Sequence, residues 1–273
     1  MADTDVSPDV EYTSGMNQTS SPTAPGQPIF EVQRAAERGT FDYGWLQTSH
    51  SFSFADYFDP RFVNWGALRV LNDDRVAAGK GFPTHPHRDM EIVTYVLSGE
   101  LEHRDSIGSH GVVGSGGVQY MSAGRGVRHS EYNHSATEEL HFVQMWVLPG
   151  ELGGEPTYGQ LDFDVQERRN KWLLVASGHT GHKAPVALTQ DAMLLVSRLE
   201  GAKLRHTFEP GRLGFLFVAD GEIGAAALDE KDDANEAVML TRGDAVRLAG
   251  IRRLEVHGAG EIVLWDLPLL GNP

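Results

Sequence analysis

Two short runs stand out for what their side chains could do. His85-Pro86-His87 opens a stretch of forty-seven residues that Arg128-His129-Ser130-Glu131 closes. Each run places two possible metal ligands at i, i+2. Successive side chains on a β-strand point to opposite faces, so residues two apart share a face and their tips can converge. Two such pairs on neighbouring strands would bring three imidazoles and one carboxylate to a point. Helical ligand pairs fall at i, i+3 or i, i+4 instead, so the spacing predicts a β-framework. Either pair alone would also suit a surface loop. The second pair, following the glycine turn Gly124-Arg125-Gly126, argues against that reading.

Composition narrows the chemistry. The chain has no cysteine, which excludes disulfides and thiolate ligands. A metal here takes nitrogen and oxygen ligands, which suits iron, manganese, nickel, copper or zinc. With 273 residues, 40% hydrophobic and 22% charged, the sequence has the make-up of a globular protein of one large or two ordinary domains. No apolar run approaches the roughly 20 residues of a membrane helix. The net charge is −15, and five of the 23 basic residues are lysines. An acidic surface repels nucleic acid, and Arg168-Arg169 and Arg252-Arg253 are isolated pairs. Neither direct nucleic-acid binding nor a membrane partner is expected.

The elements that must position these side chains read as strands. Residues 1–28 are polar, without periodicity and without the basic start and apolar stretch of a secretory signal. They are expected to form a disordered tail on a cytoplasmic protein. The alternation in His50 to Phe54 predicts a half-buried strand, and Asn64 to Leu71 another that ends at Asn72-Asp73-Asp74. Glu91 to Leu97, Leu101 to Asp105, Val118 to Met121 and Leu140 to Leu148 follow, with a glycine-rich exposed loop expected over 106–117. The Gly-, Pro- and charge-rich stretch 150–170 marks a boundary, giving domains at 29–152 and 153–273.

Beyond it the strand pattern repeats: Trp172 to Ala176, Met193 to Leu199, Leu213 to Val218, Ile223 to Leu228, Ala245 to Leu248, Ile251 to Val256 and Glu261 to Leu267, with an acidic surface loop at Asp229 to Glu236. The expected fold class is all-β, two antiparallel barrels packed together. The second barrel lacks the site. His206 is followed by Phe208 where a second histidine would stand, and His257 has no H-x-E partner.

Gly79 to Gly99 (GKGFPTHPHRDMEIVTYVLSG), Met121 to Tyr132 (MSAGRGVRHSEY) and Leu140 to Pro149 (LHFVQMWVLP) resemble the pirin family of two-domain cupins, in particular its bacterial quercetin 2,3-dioxygenase type. SFSFADYFDP, within Gly39 to Pro60, and ALRVLNDD over Ala67 to Asp74 extend the resemblance. It covers roughly 29–150 strongly, the second half more loosely and the tail not at all. It implies a bicupin of two double-stranded β-helix (jelly-roll) barrels. It also implies one divalent transition metal per chain, iron foremost, with manganese, nickel, copper, cobalt or zinc also accepted. The family's ligands carry over onto His85, His87, His129 and Glu131, with Glu131 also the catalytic proton acceptor. Glu91, which follows the second histidine by four and matches the ligand of many other cupins, is then an outer or barrel-wall residue. The implied reaction is metal-dependent cleavage of a quercetin-like flavonol by O₂ with release of carbon monoxide. A regulatory binding module with a protein partner, or an oxygenase acting on another substrate, is the alternative.

Other residues carry weaker expectations. His50, His103, His110, His134 and His141 share the first domain with the site. His141 and Gln144 lie on opposite faces of one strand, so one of the two can point inward. Phe52, Phe54, Trp65 and Trp146 suit core packing better than a substrate wall. Arg125, between two glycines, suits attraction of an anionic substrate and an exposed turn equally, and Asp59 and Asp73-Asp74 are expected to serve turns.

Overall fold

The computed structural model describes residues 27–228 and 236–270. The expected tail over 1–28 and the acidic loop over 229–236 lie almost wholly outside the described residues. In chain order come β1 (Ile29–Gln33), β2 (Gly39–Asp42), β3 (Leu46–His50), β4 (Leu68–Val76), β5 (Gly81–His87) and β6 (Glu91–Ser98). They are followed by β7 (Leu101–Asp105), β8 (His110–Val113), β9 (Val118–Ser122), β10 (Val127–Asn133), β11 (Leu140–Val147) and β12 (Thr157–Leu161). A one-turn helix, α1 (Val165–Arg168), leads to β13 (Leu173–Ser177), β14 (Val186–Ala187), β15 (Met193–Thr207) and β16 (Leu213–Leu228). The last strands are β17 (Val238–Thr241), β18 (Ala245–Ala249) and β19 (Arg253–Leu267).

A seven-stranded sheet, β12-β9-β6-β11-β4-β3-β2, and a four-stranded sheet, β5-β10-β7-β8, form the first barrel. An eight-stranded sheet built on β1-β18-β16-β19-β15-β13-β14, with β17 beside β16, forms the second. Pairing is antiparallel except between β13 and β14. The all-β, two-barrel expectation therefore stands. Sheet membership crosses the expected division at 152/153: β1 pairs β18 in the second barrel, and β12 pairs β9 in the first.

Several local expectations need correction. The ladder of β3 stops at His50; Ser51 and Ser53 instead donate their N–H groups to Leu71 O and Phe62 O, so the alternation through Phe54 is not a strand. Asn72-Asp73-Asp74 does not end β4 but lies inside it, buried. Part of the glycine-rich stretch 106–117 forms β8. In the second half, expected strands fuse into β16 and β19, because the irregularity between Val218 and Asp220 redirects β16 without ending it.

Period-two patterning explains how the barrels pack. On β6, Glu91, Val93 and Tyr95 face the second barrel, and Ile92, Thr94 and Val96 face inward. The outward set joins Leu71, Val143 and Met145 against Leu194, Phe215, Phe217, Val263 and Trp265 in one apolar cluster shared by both barrels. Phe52 and Trp65 belong to that cluster, and the Trp65 indole N–H donates to Gly214 O at 2.9 Å.

Glu91 is fully buried at this seam rather than at the site. It accepts hydrogen bonds from Tyr120 Oη (2.8 Å), Thr189 N (2.8 Å) and Gln190 N (3.0 Å). Glu91→Ala would strand two backbone donors, at a cost on the order of 3 kcal/mol. The expected outcome is a clearly lower Tm with unchanged metal content; loss of metal with retained stability would contradict this placement.

Candidate metal centre

The interior of the first barrel is layered. One apolar cluster holds Val70, Ile92, Met121 and Trp146, and another holds Leu46, Val76, Val96 and Phe142. Between them the register aligns Gln119 (β9), Thr94 (β6), Gln144 (β11), Asn72 (β4) and His50 (β3) in one polar row. Each strand has an inward polar residue two positions from an inward apolar one, so the polar layer follows from strand parity.

The four-stranded sheet presents the histidines. On β10 burial alternates, with Val127, His129, Glu131 and Asn133 inward. β5 is an edge strand, where Pro83 and Pro86 cost no ladder bonds. His85 pairs with His129, but Glu131 pairs with Phe82, so an extra residue bulges from β5 around Pro83-Thr84. The bulge leaves the Pro83 carbonyl free to accept from His85 Nδ1 at 2.8 Å. Gly81 permits this approach, since a Cβ there would lie 2.2 Å from Glu131 O.

The three predicted histidines come together, and Glu131 joins them through His129 in company with His103. The ligating atoms of His85, His87 and His129 lie within 4.8 Å of one another, and so do those of His103, His129 and Glu131. His85, His87, His129 and Glu131 are 5%, 8%, 1% and 2% exposed. His87 and His129 are held well below the ordinary histidine range, by burial first and then by neighbouring imidazoles. They are thus neutral at pH 7, the form that binds a metal.

Glu131 Oε1 accepts from Gln119 Nε2 at 2.6 Å and Oε2 from Gln144 Nε2 at 2.8 Å. Trp146 Nε1 donates to Gln144 Oε1 at 3.1 Å, which fixes the amide with its NH₂ toward Glu131. The Trp146 ring also stands edge-on to His87, with centroids 4.8 Å apart.

This donor set fits a cation. His85 uses its Nδ1–H on Pro83 O, leaving Nε2 as a lone pair. That atom lies 3.1 Å from His129 Nε2. Two nitrogens about 2.1 Å from one ion and at right angles about it stand about 3 Å apart. The group of three histidines and a carboxylate could therefore hold one metal ion.

The remaining expectations divide. His103 reaches the site, with Nδ1 3.3 Å from His129 Nδ1, whereas His110 and His134 are exposed. Gln144 points inward, and His141 lies on the opposite face, bonded to Asp73 at 2.6 Å. Arg125 pairs with Glu155 on the surface, and Asp59 with Arg61. Phe54 stands edge-on to Trp146, 5.3 Å between centroids; both pack in a core cluster, as Phe52 and Trp65 do at the seam, and Trp146 also meets His87. In the second barrel His206 bonds Asp266 at 2.7 Å and Phe208 fills the core. Among the described residues, both metal-competent groups lie in the first barrel. Gln119, Asp105 and Tyr158 had no distinguishing signal beyond strand parity.

Asp73 and Asp74 correct the turn expectation most sharply. Asp73 is neutralised by His141 and by Arg38 at 3.5 Å. Asp74 Oδ1, Asn72 Oδ1 and His50 Nδ1 find no hydrogen-bond partner among the described residues. Burial, opposed by a hydrogen bond from Thr48 and reinforced by Asp73 and Glu131, raises Asp74 from 3.8 to about 7. The folded state thus holds a proton that the unfolded chain releases above pH 3.8. That contribution is complete below 3.8 and lost as pH rises through about 7. In metal-free protein Asp74→Asn should match wild type near pH 4 and exceed it at pH 8 by up to on the order of 4 kcal/mol. Denaturant titrations across this range check it, and a pH-independent difference would contradict it.

A pair of cupin barrels with a histidine–carboxylate cluster in the first defines a bicupin with one metal-competent barrel. The chain belongs to the pirin family: the family model described as Pirin matches residues 30–147, and the one described as the quercetinase C-terminal cupin domain matches 174–267. It is 56% identical over 240 residues to the quercetin 2,3-dioxygenase of Escherichia coli K12, covering 87% of this chain and 98% of that protein. It is 42% identical over 207 residues to a pirin-like protein of Caulobacter vibrioides, covering 74% of this chain and 89% of the relative. The crystal structure of the bacterial pirin YhhW from Escherichia coli in complex with nickel(II) superimposes with a TM-score of 0.79 at 38% identity, over 89% of this chain and all of that one.

Proposed function

We propose that the protein is a metal-dependent dioxygenase that opens the heterocycle of a quercetin-like flavonol, with His85, His87, His129 and Glu131 as metal ligands and Glu131 as proton acceptor. The observation that carries this reading is the pair of imidazole lone pairs facing each other at 3.1 Å beside a carboxylate held by two amides. The names borne by the relatives supply the substrate class. Iron stands first among the candidate metals, and the nickel(II) complex of YhhW supports a divalent ion.

When bound, a divalent metal supplies Lewis-acid activation of a 3-hydroxy-4-ketone and a path for electrons to O₂. Glu131 takes the 3-hydroxyl proton, its carboxylate plane set by Gln119 and Gln144. Trp146 and Phe54 form an aromatic wall beside His87. The products balance as one ring-opened ester that gains both atoms of O₂, one at C2 and one at C4, while C3 leaves with the 3-hydroxyl oxygen as carbon monoxide and the proton held by Glu131 returns to the new carboxylate. Nucleic acid and membrane have no part in this reading, and a cytoplasmic setting suits it.

One observation favours a second reading, a metal-bearing regulatory module: all four groups are under a tenth exposed, a tight entrance for a polycyclic substrate. Metal analysis of protein from its own host, followed by oxygen-uptake assays over a panel of phenols, separates the two. Uptake with flavonols and not with simple phenols is expected. Metal-loaded protein inert to the whole panel would favour the module.

A further inference from the structure

The side chains of His103 and Asp105 are buried on β7, side by side with the metal-competent cluster, and the proposed reaction does not use either. Leu101, His103 and Asp105 share the inward face of β7, and His103 pairs in register with Glu131 on β10. Asp105 Oδ1 accepts from the N–H groups of Ile107 (3.0 Å) and Ser109 (2.9 Å), and its Oδ2 lies 3.0 Å from His103 Nε2. With Oδ1 taken up by two backbone N–H donors and Oδ2 facing a ring nitrogen, the carboxylate is the acceptor and His103 Nε2 the donor.

A neutral imidazole has a single N–H, so His103 Nδ1 is left as an acceptor. It faces His129 Nδ1 at 3.3 Å, which makes the His129 atom the donor. The proton of His129 then sits on Nδ1, and Nε2, the atom 3.1 Å from His85 Nε2, carries the lone pair. Tyr158 stacks on the His103 ring with centroids 4.1 Å apart and planes 12° from parallel, so the ring cannot swing out of this line. Tyr158 is in turn anchored by its hydroxyl on Gln160 Oε1 at 2.9 Å.

We propose that Asp105 and His103 are positioning residues for the metal centre: acting in series, they fix the tautomer of His129 so that Nε2 is presented to a divalent transition metal. His85 reaches the same state by a shorter route, through the Pro83 carbonyl. The two imidazoles are thus preset by different devices, one a backbone bulge and the other a buried histidine–carboxylate pair. Groups behind metal-bound histidines commonly change affinity by 10–100-fold when removed. The inference rests on His129 being a ligand, as in the reading above.

The test uses zinc(II) as a diamagnetic probe with the full-length protein. Chelator competition gives affinity, and long-range ¹H–¹⁵N imidazole correlations report the protonation of each ring nitrogen. In zinc-loaded wild type, His129 should carry hydrogen on Nδ1 and metal on Nε2, and His103 hydrogen on Nε2. His103→Phe keeps a ring for Tyr158 but has no acceptor, and should weaken zinc by 10–100-fold. His103→Gln, which restores a carbonyl acceptor, should recover most of that loss.

Asp105→Asn is the sharpest variant. Its amide oxygen can still accept from the 107–109 turn, while its NH₂ faces His103 Nε2 and reverses the donor order. It should lose zinc affinity as His103→Phe does, although the Asp105 side chain bonds His103, Ile107 and Ser109 and not His129, its neighbour across the strand pair. Asp105→Asn binding zinc as tightly as wild type, or a wild-type His129 with hydrogen on Nε2, overturns the proposal. Zinc bound in wild type without His129 overturns the ligand assignment together with it. A fault of folding alone would leave His103→Gln as weak as His103→Phe, which also counts against positioning.

Discussion

His129→Ala is expected to empty the metal site and abolish oxygen uptake. It deletes one of the four proposed ligands, and it also removes the partner of His103 Nδ1 and the nitrogen facing His85 Nε2. Site-wide binding energies for histidine- and thiolate-ligated metals are about 10–16 kcal/mol, so losing one ligand of four corresponds to on the order of 10²–10³-fold in affinity. His85→Ala should behave alike. His206→Ala should leave metal content unchanged, because His206 is engaged with Asp266 in a barrel whose centre is packed by Phe208. Elemental analysis after desalting checks all three. One ion per chain in wild type and His206→Ala, and none in the other two, is the expected pattern. Two tightly held ions, or retention in His129→Ala, would contradict it.

Glu131→Gln is expected to separate holding the metal from using it. The amide keeps an oxygen donor of the same reach, and the three histidines remain. Gln119 and Gln144 donate to both carboxylate oxygens in the wild type, and one of these bonds must break or invert when an NH₂ replaces an oxygen. The larger effect is chemical: an amide is a far poorer base, and general-base contributions run about 10²–10⁴-fold. Turnover of quercetin should therefore fall on the order of a hundredfold or more, while measurable metal remains. Equal turnover by metal-loaded Glu131→Gln and wild type would remove Glu131 from the base role. The contrast with Glu91→Ala, expected to cost stability and not metal, divides the work of the two glutamates along opposite faces of the barrel wall.

The site was legible where a single strand encodes it. His85 with His87, and His129 with Glu131, each follow from period two within one strand, and β5 and β10 did prove to be neighbours. What surrounds them depends on register between strands far apart in sequence. Gln119 and Gln144 reach Glu131 only because β9, β6 and β11 align through Thr94. His103 had the parity to face inward, but nothing local says that β7 lies beside β10. The bulge that frees the Pro83 carbonyl is likewise a property of the β5–β10 pairing.

Asn72-Asp73-Asp74 read as a turn because those residue types favour turns. In the fold, Arg38 and His141, distant in the chain, offset the burial of Asp73. Strands in the second barrel run longer than their sequence pattern predicts for a related reason. Glycines such as Gly221 mark bends that the ladder crosses rather than ends, and a Cβ at that position would lie 2.2 Å from Ala259 O across the pair.

The most direct test of the central claim is the gas balance of a single reaction. Protein stripped of metal and reloaded with iron(II) is incubated with quercetin under O₂, and O₂ consumed, flavonol consumed and carbon monoxide released are measured together. A metal-dependent flavonol dioxygenase predicts equal amounts of all three, with nothing above background in the stripped protein or in reloaded His129→Ala. Quercetin that persists in the presence of fully loaded wild type, or disappears without carbon monoxide, would contradict the account.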